Sequence, residues 1–328
     1  MSSYYAPITY IVPPEEDDWI LKTILQKRMD VSRKLLSRIK MTEQGITLNG
    51  ERVYISVRVR AGDTVQIRME IETSADILPE PVPIEILYED EHLLVVNKAA
   101  GIIVHPTHGH YTGTLANGVV HYWEQQNKQY RFRPVHRLDQ ETSGVLVIAK
   151  NPYIHQHISE QMIAGTVDKR YTAFVHGVPA SPSGDIDGPI DRDPEEPHRR
   201  IVTPSGYPSL TRYMVKEEFG AYGARVELKL ESGRTHQIRV HMTSIGCPLI
   251  GDGMYRHELY GRGDLSEAET HQLENVAALD AAIPRQALHA VRLTLKHPIL
   301  QREITFEAPL PPDMAALEAL LSRNTERE

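Results

Sequence analysis

Four stretches of the chain gather polar side chains beside glycine where apolar runs end. They are VNKAAGIIVHP (96–106), RPVHRLDQETSGVLVIAK (133–150), KRYTAFVHG (169–177) and ESGRTHQIRVH (231–241). Loops of this composition, held by a rigid scaffold, are where binding and catalytic groups concentrate. In the second stretch Asp139 stands between the apolar Leu138 and a turn cluster, Gln140 to Gly144, that runs into a buried-strand pattern. Capping the turn is the ordinary role of such an Asp; carboxylate chemistry is the alternative. The fourth stretch supplies cations, with Arg234, His236, Arg239 and His241 inside eight residues and the last three at or near helical spacing. An arginine brought against Asp139 would favour its ionised form and orient it bidentately, as a nucleophilic carboxylate requires. A helix with solvated arginines is the competing explanation. A third possibility is metal chemistry, because His105, His108 and His110 form H-x-x-H-x-H. They sit in a Pro- and Gly-containing loop without neighbouring acids, which disfavours it.

The elements that must position these groups fall into two parts. Residues 19–40 place apolar side chains at Ile20, Leu21, Ile24 and Leu25, then at Val31, Leu35, Leu36 and Ile39. Spacings of three and four predict two short amphipathic helices broken near Met29–Asp30. The stretch ITLNGERVYISVRVRAGDTVQIRM alternates apolar and polar residues and turns at Asn49–Gly50 and Gly62–Asp63, which predicts a small sheet of hairpins. A Pro-rich acidic segment, 72–83, reads as a linker. Beyond it, strand patterns dominate: LLVV, VLVIAK (145–150), KRYTAFVHG, TRYMVKEEF (211–219), ARVELKLES (224–232) and VRLTLKHP (291–298). Helical patterns at 154–165 and 235–246 are scattered among them, with no regular βα alternation. The expected fold class is α+β, a mixed and largely antiparallel sheet preceded by a small α+β domain. The expected boundaries are an N-terminal extension at 1–18, a small domain at 19–71, the linker at 72–83, a catalytic domain at 84–318 and a C-terminal tail at 319–328. The acidic stretch 261–282 reads as a helix-bearing surface insert.

The net charge of −8 argues at first against a nucleic-acid partner. The average conceals a split, because residues 19–70 carry eleven Lys/Arg against five Asp/Glu, so a local +6 faces −14 elsewhere. The local patch decides whether RNA is attracted; a merely solvated face is the plain alternative. One cysteine, Cys247, excludes an intramolecular disulfide and any multi-cysteine cluster. No apolar run approaches bilayer length and the N-terminus lacks a signal-like core, so a cytoplasmic location is expected.

The order VSRKLLSRIKMTEQGITLNGERVYISVRVRAGDTVQI resembles an S4-type RNA-binding domain. That resemblance implies that Ser32, Arg33, Lys34 and Arg38 lie on an RNA-facing helix. HRLDQETSG in turn resembles the catalytic motif of the RluA/RluD type of pseudouridine synthase. Neighbouring segments match that family in order: LYEDEHLLVVNKAAGIIVHP, KRYTAFVHG, LKLESGRTHQIRVHM with GCPLIGD, and QALHAVRLTLKHP. Agreement covers most of residues 84–310, and five ordered motifs are far more specific than a lone HRLD.

Position by position, the resemblance implies Asp139 as the catalytic aspartate, Arg234 as its ion-pair partner and Tyr171 as the aromatic that stacks on the target uracil. Arg137, Lys169, His236, Gln237, Arg239 and Leu288 fall on positions that shape or support the site. The chain departs from the family at Ala99, where proline is usual, and at Tyr207, where lysine is usual. The implied reaction isomerises uridine without redox or phosphate chemistry, so neither cofactor nor metal is expected. RNA is the expected partner, ribosomal RNA first and transfer RNA second, with no membrane and no obligate protein partner. Two rivals differ in class. A purely RNA-binding protein has no need for Asp139, Tyr171 and Arg234 together. A hydrolytic glycosidase would require a second positioned carboxylate, for which Glu141 is the nearest candidate.

Overall fold

The computed structural model describes residues 3–326. Its first seventy residues contain β1 (Ile8–Ile11), α1 (Leu21–Lys27), α2 (Arg33–Ile39), β2 (Ile46–Leu48), β3 (Glu51–Arg52) and β4 (Thr64–Ile67). The strands pair antiparallel in the order β1-β4-β2-β3. The helices form because Leu21, Ile24 and Leu25, then Leu35, Leu36 and Ile39, fall on one face and are buried. Ser32 caps α2 by accepting the Leu35 N–H, satisfying a first-turn donor. Asn49 and Gly50 both take positive φ, 53° and 86°, as a tight hairpin with the native strand twist demands.

The second part begins with β5 (Glu85–Glu89) and β6 (Leu93–Lys98), followed by α3 (Leu115–Gln125), β7 (Ser143–Ala149), α4 (Pro152–Ile163) and β8 (Asp168–His176). Then come β9 (Ser183–Asp187), β10 (Ile190–Arg192), β11 (Arg200–Val202), β12 (Leu210–Glu218), β13 (Gly223–Leu230) and α5 (Gln237–Ser244). The insert helix α6 (Glu267–Ala281), β14 (Leu288–Lys296), β15 (Glu303–Glu307) and α7 (Pro312–Thr325) complete it. Among the described residues the main sheet has nine strands in the order β5-β6-β7-β14-β8-β13-β12-β9, with β15 beside β14. Its pairings are antiparallel except β7 with β14, which run parallel at Ser143–Gly144 against His289–Ala290. The expected α+β class with a mixed, largely antiparallel sheet is therefore the observed one.

All seven residues of β7 are buried, because both faces of the sheet are covered. The period of two divides its side chains between the faces. Val145, Val147 and Ala149 join Leu93 and Val95 in one core, which is continuous with Leu25, Leu35 and Ile67 of the first seventy residues. Leu146 and Ile148 join Leu94 and Val96 in the other core, under α3 and α5. The first seventy residues thus pack on the main sheet as well as preceding it in sequence. Tyr153 in α4 donates to the Met29 carbonyl at 2.8 Å, and Gln156 donates to the Asp30 carbonyl at 3.0 Å.

Three boundary expectations change. Residues 8–11, assigned to an extension, form β1, because their alternation suits an edge against β4. The segment 72–83 is tied down, with Ser74 and Ile77 buried and the Asn117 amide donating to the Leu78 carbonyl. The supposed tail from 319 is the second half of α7, whose Leu321 is fully buried beside Phe219 and Ile250; residues 327–328 lie outside the described residues. Helix α3 was not anticipated from the sequence. It is started by a capping box in which Thr114 and Asn117 bond reciprocally.

Candidate active site

Asp139 lies in the loop that enters β7. Its carbonyl accepts the Thr142 N–H at 3.1 Å, closing the turn that the cluster Gln140 to Ser143 suggested. The side chain keeps 28% exposure, so the carboxylate is partly reachable from solvent. The capping role is filled by its backbone, which leaves the side chain for other work.

The arginine that reaches it is Arg239. Its Nη1 stands 3.7 Å from the Asp139 Oδ2, and the guanidinium is 8% exposed. Arg239 is itself locked: Nε donates to Asp252 Oδ2 at 2.6 Å and Nη2 to Asp252 Oδ1 at 2.8 Å, a bidentate buried pair. Its guanidinium carbon also lies 4.9 Å from the Tyr255 ring centroid. Burial alone would weaken the Arg239 cation, but Asp252, then Asp139, outweigh that and push its pKa up. Arg234, expected at Asp139, instead places its guanidinium carbon 5.3 Å from the exposed ring of Tyr207. The physical reason is the backbone at His236, which takes a left-handed φ of 57° immediately before α5. That residue separates the loop arginine from the helical one.

His236 places Nδ1 3.0 Å from the Tyr255 hydroxyl. Burial, then the Arg239 charge, lowers its pKa, although the Asp139 charge opposes this. Gln237 is buried and acts as a brace. It accepts from Ser232 Oγ at 2.9 Å and the Arg234 N–H at 3.0 Å, and it donates to the Leu210 carbonyl and Thr211 Oγ1, both at 3.0 Å.

Tyr171 projects from β8 opposite Leu228 and is buried. Burial, then the nearby Asp139 charge, raises its phenol well above the usual value. The phenol therefore stays neutral beside the carboxylate. Lys169, two residues earlier and so on the same face of the strand, has its pKa lowered by burial against the pull of Glu231. Leu288 of β14 pairs with Ala173 and is buried in the same core as Tyr171. Arg137 is exposed two residues before Asp139.

Two buried cations that sequence reasoning missed hold the loop behind Asp139. Lys98, at the end of β6, donates to the carbonyls of Ala99 at 2.8 Å and of Ile102 and Gln140 at 2.9 Å. Burial lowers its pKa to about 7, opposed by the charge of Glu141. Arg285 donates through Nη1 to the carbonyls of Glu141 and Leu288, both at 3.1 Å, and of Gln286 at 3.2 Å. Its other nitrogens fork onto Asp313 of α7 at 2.7 and 2.9 Å. Consecutive carbonyls after Asp139 are thus gripped from two sides. Gly144 lets β7 approach β14, since at its φ of 117° a Cβ would lie 2.2 Å from the Ala290 carbonyl oxygen.

The remaining expected residues lie on other segments than this loop. Ser32 caps α2, Arg33 and Lys34 are exposed on that helix, and Arg38 pairs with Glu72. The H-x-x-H-x-H stretch does not converge: His105 packs against Phe132, and His108 contacts the Tyr111 hydroxyl at 3.2 Å. Among the described residues no three His, Cys, Asp or Glu side chains are grouped to hold a metal ion. Among them, too, no helix is long and apolar enough to cross a membrane.

The site thus joins a partly exposed aspartate, an arginine locked by a second aspartate and a buried tyrosine on a largely antiparallel sheet. Residues 92–244 match the family model described as RNA pseudouridylate synthase. The "Uncharacterized RNA pseudouridine synthase YjbO" of Bacillus subtilis is 37% identical over 290 residues, covering 88% of this chain and 95% of that protein. The "Ribosomal large subunit pseudouridine synthase D" of Xanthomonas campestris is 38% identical over 280 residues, 85% of this chain and 82% of that one. Among solved structures, "Human RNA Pseudouridylate Synthase Domain Containing 4" superposes with a TM-score of 0.56 at 26% identity, covering 73% of this chain and 93% of that one. The chain belongs to the RluA/RluD type of RNA pseudouridine synthases, isomerases that act on RNA.

Proposed function

We propose that Asp139 is the catalytic carboxylate of this synthase and that its substrate uridine lies in large-subunit ribosomal RNA. The observation that carries the first part is the partly exposed Asp139 carboxylate 3.7 Å from an arginine fixed in place by a second, buried aspartate. The target uridine must leave its stack, which costs a few kcal/mol and is offset by stacking on an aromatic face; Tyr171 takes that role. Cleavage of the bond from ribose C1′ to uracil N1 places positive character on the sugar, where an ionised carboxylate acts. The base then turns and bonds to C1′ through C5. The proton lost from C5 is balanced by one gained at N1, so atoms and electrons are conserved without a cofactor. Arg239 keeps a positive charge beside Asp139 throughout, and Lys98 and Arg285 fix the backbone that presents it.

Arg137, Lys169, His236, Gln237 and Leu288 line or brace the same region, with Arg234 an exposed RNA contact beside Tyr207. Ser32, Arg33, Lys34 and Arg38 belong to a small S4-like domain, roughly residues 19–71 extended by β1, that captures RNA. The ribosomal assignment is supported by the name of the Xanthomonas relative, and transfer RNA is the second choice. A cytoplasmic location fits such a substrate and the single, buried cysteine.

The test is pseudouridine mapping of total RNA from cells with and without the gene, repeated with Asp139→Asn. The expected result is loss of defined ribosomal pseudouridines, restored by the wild-type gene alone. Unchanged pseudouridines on deletion, or their restoration by the Asn variant, would defeat the proposal.

A further inference from the structure

Away from the active site, one carboxylate gathers three guanidinium groups from both parts of the chain. Glu72 bonds Arg38 of α2 and Arg133, and Arg131 Nη1 lies 3.7 Å from it. Arg133 also donates to the Arg131 carbonyl at 3.2 Å. Arg38 and Arg131 keep 51% and 55% exposure, whereas Arg133 and Glu72 keep 11% and 22%. Burial pushes the Glu72 pKa up, yet the three arginines overcome it and hold the carboxyl below its ordinary value. A clasp between two domains needs one cation for one carboxylate. Here two positive charges are left over, on forked groups whose geometry matches phosphate.

The position suits a long polyanion. Lys34 lies one turn before Arg38 on the same face of α2. In the other direction, Arg133 stands six positions before Asp139, a path of on the order of 20 Å at full extension. We propose that Arg38 and Arg131, backed by the more buried Arg133, form a phosphate site for the RNA backbone where the small sheet meets the main one, and that Glu72 occupies it until RNA arrives. The proposal rests on the reading of RNA as substrate. It assigns Arg131, Arg133 and Glu72 a part in RNA capture that the active site does not require.

The experiment is equilibrium binding of a fluorescently labelled single-stranded RNA oligonucleotide across a salt series, with thermal melts as the check on folding. Glu72→Gln removes the competing carboxylate and should bind RNA more tightly by roughly threefold, about the worth of one phosphate contact over a fourfold change in salt. Arg131→Gln, at an exposed side chain, should bind more weakly and lower the salt slope by about 0.7. If Glu72→Gln binds equally or less tightly, or Arg131→Gln leaves the slope unchanged, Glu72 is only a structural clasp. A wild-type protein that fails to bind the RNA at all overturns instead the reading on which the site rests.

Discussion

Asp252→Asn tests whether the charge beside Asp139 depends on a second aspartate. In the native site Asp252 Oδ1 accepts from Arg239 Nη2 at 2.8 Å and from the Met254 and Tyr255 N–H groups at 2.9 and 3.0 Å. Its Oδ2 accepts from Arg239 Nε at 2.6 Å. Asparagine keeps the first oxygen but puts an NH2 group where Oδ2 stood, so two donors face each other and the guanidinium loses its buried counter-charge. Removing one member of a buried pair costs about 3–5 kcal/mol. The low end applies here, since Asp139 remains 3.7 Å away as a partial replacement. Urea unfolding should show a loss of about 3 kcal/mol with an unchanged m-value. Single-turnover pseudouridine formation at saturating RNA should fall by more than tenfold, because Arg239 is drawn toward Asp139 and ties down the carboxylate that must act on the sugar. A variant destabilised by less than about 1 kcal/mol, or one that is destabilised but turns over at the native rate, would refute the chain from Asp252 to Asp139.

Tyr171→Phe should keep kcat within a few-fold, because stacking needs only the ring, whereas Tyr171→Ala should lose most of it; equal losses in single-turnover assays would point instead to the hydroxyl. Gly144→Ala should destabilise by about 3 kcal/mol or more, since the added carbon meets a backbone oxygen at 2.2 Å and φ is 117°; a native melting temperature would contradict the close approach of β7 to β14. Asp90 gives a pH prediction. Burial opposes its ionisation, but His297, Tyr88 and the His92 and Leu93 N–H groups together hold its pKa far below the usual carboxylate value. Its stabilisation is therefore complete above the unfolded value of about 4 and is lost as pH falls below it. Melting temperatures measured downward from pH 5 should drop less steeply in Asp90→Asn than in the wild type, and parallel curves would remove Asp90 from that role.

The small helices were legible because Leu21, Ile24, Leu25, Leu35 and Leu36 repeat at helical spacing in short, well-bounded runs. Helix α3 was hidden by its own packing: Gly118, a poor helix former, is required where a Cβ would lie 2.7 Å from the Val82 carbonyl oxygen. The loop bearing Asp139 could be found from the order of motifs, but the choice between Arg234 and Arg239 could not. Both occur in one segment, and a single left-handed residue between them decides which reaches the carboxylate. Lys98 and Arg285 gave no local signal for their hold on the Asp139 loop, because beside nearby carbonyls each reaches one far off in sequence, that of Gln140 or of Glu141. Such partners are set by tertiary structure alone.

The Arg285 clamp has a bearing on when the enzyme becomes active during its own synthesis. The Glu141 carbonyl is held by a side chain 144 positions later, which is held in turn by a carboxylate 28 positions beyond that. On the ribosome, the loop after Asp139 emerges before the residues that clamp it. The turn that presents Asp139 therefore stays without this clamp until Arg285 has been made and Asp313 can fork onto it.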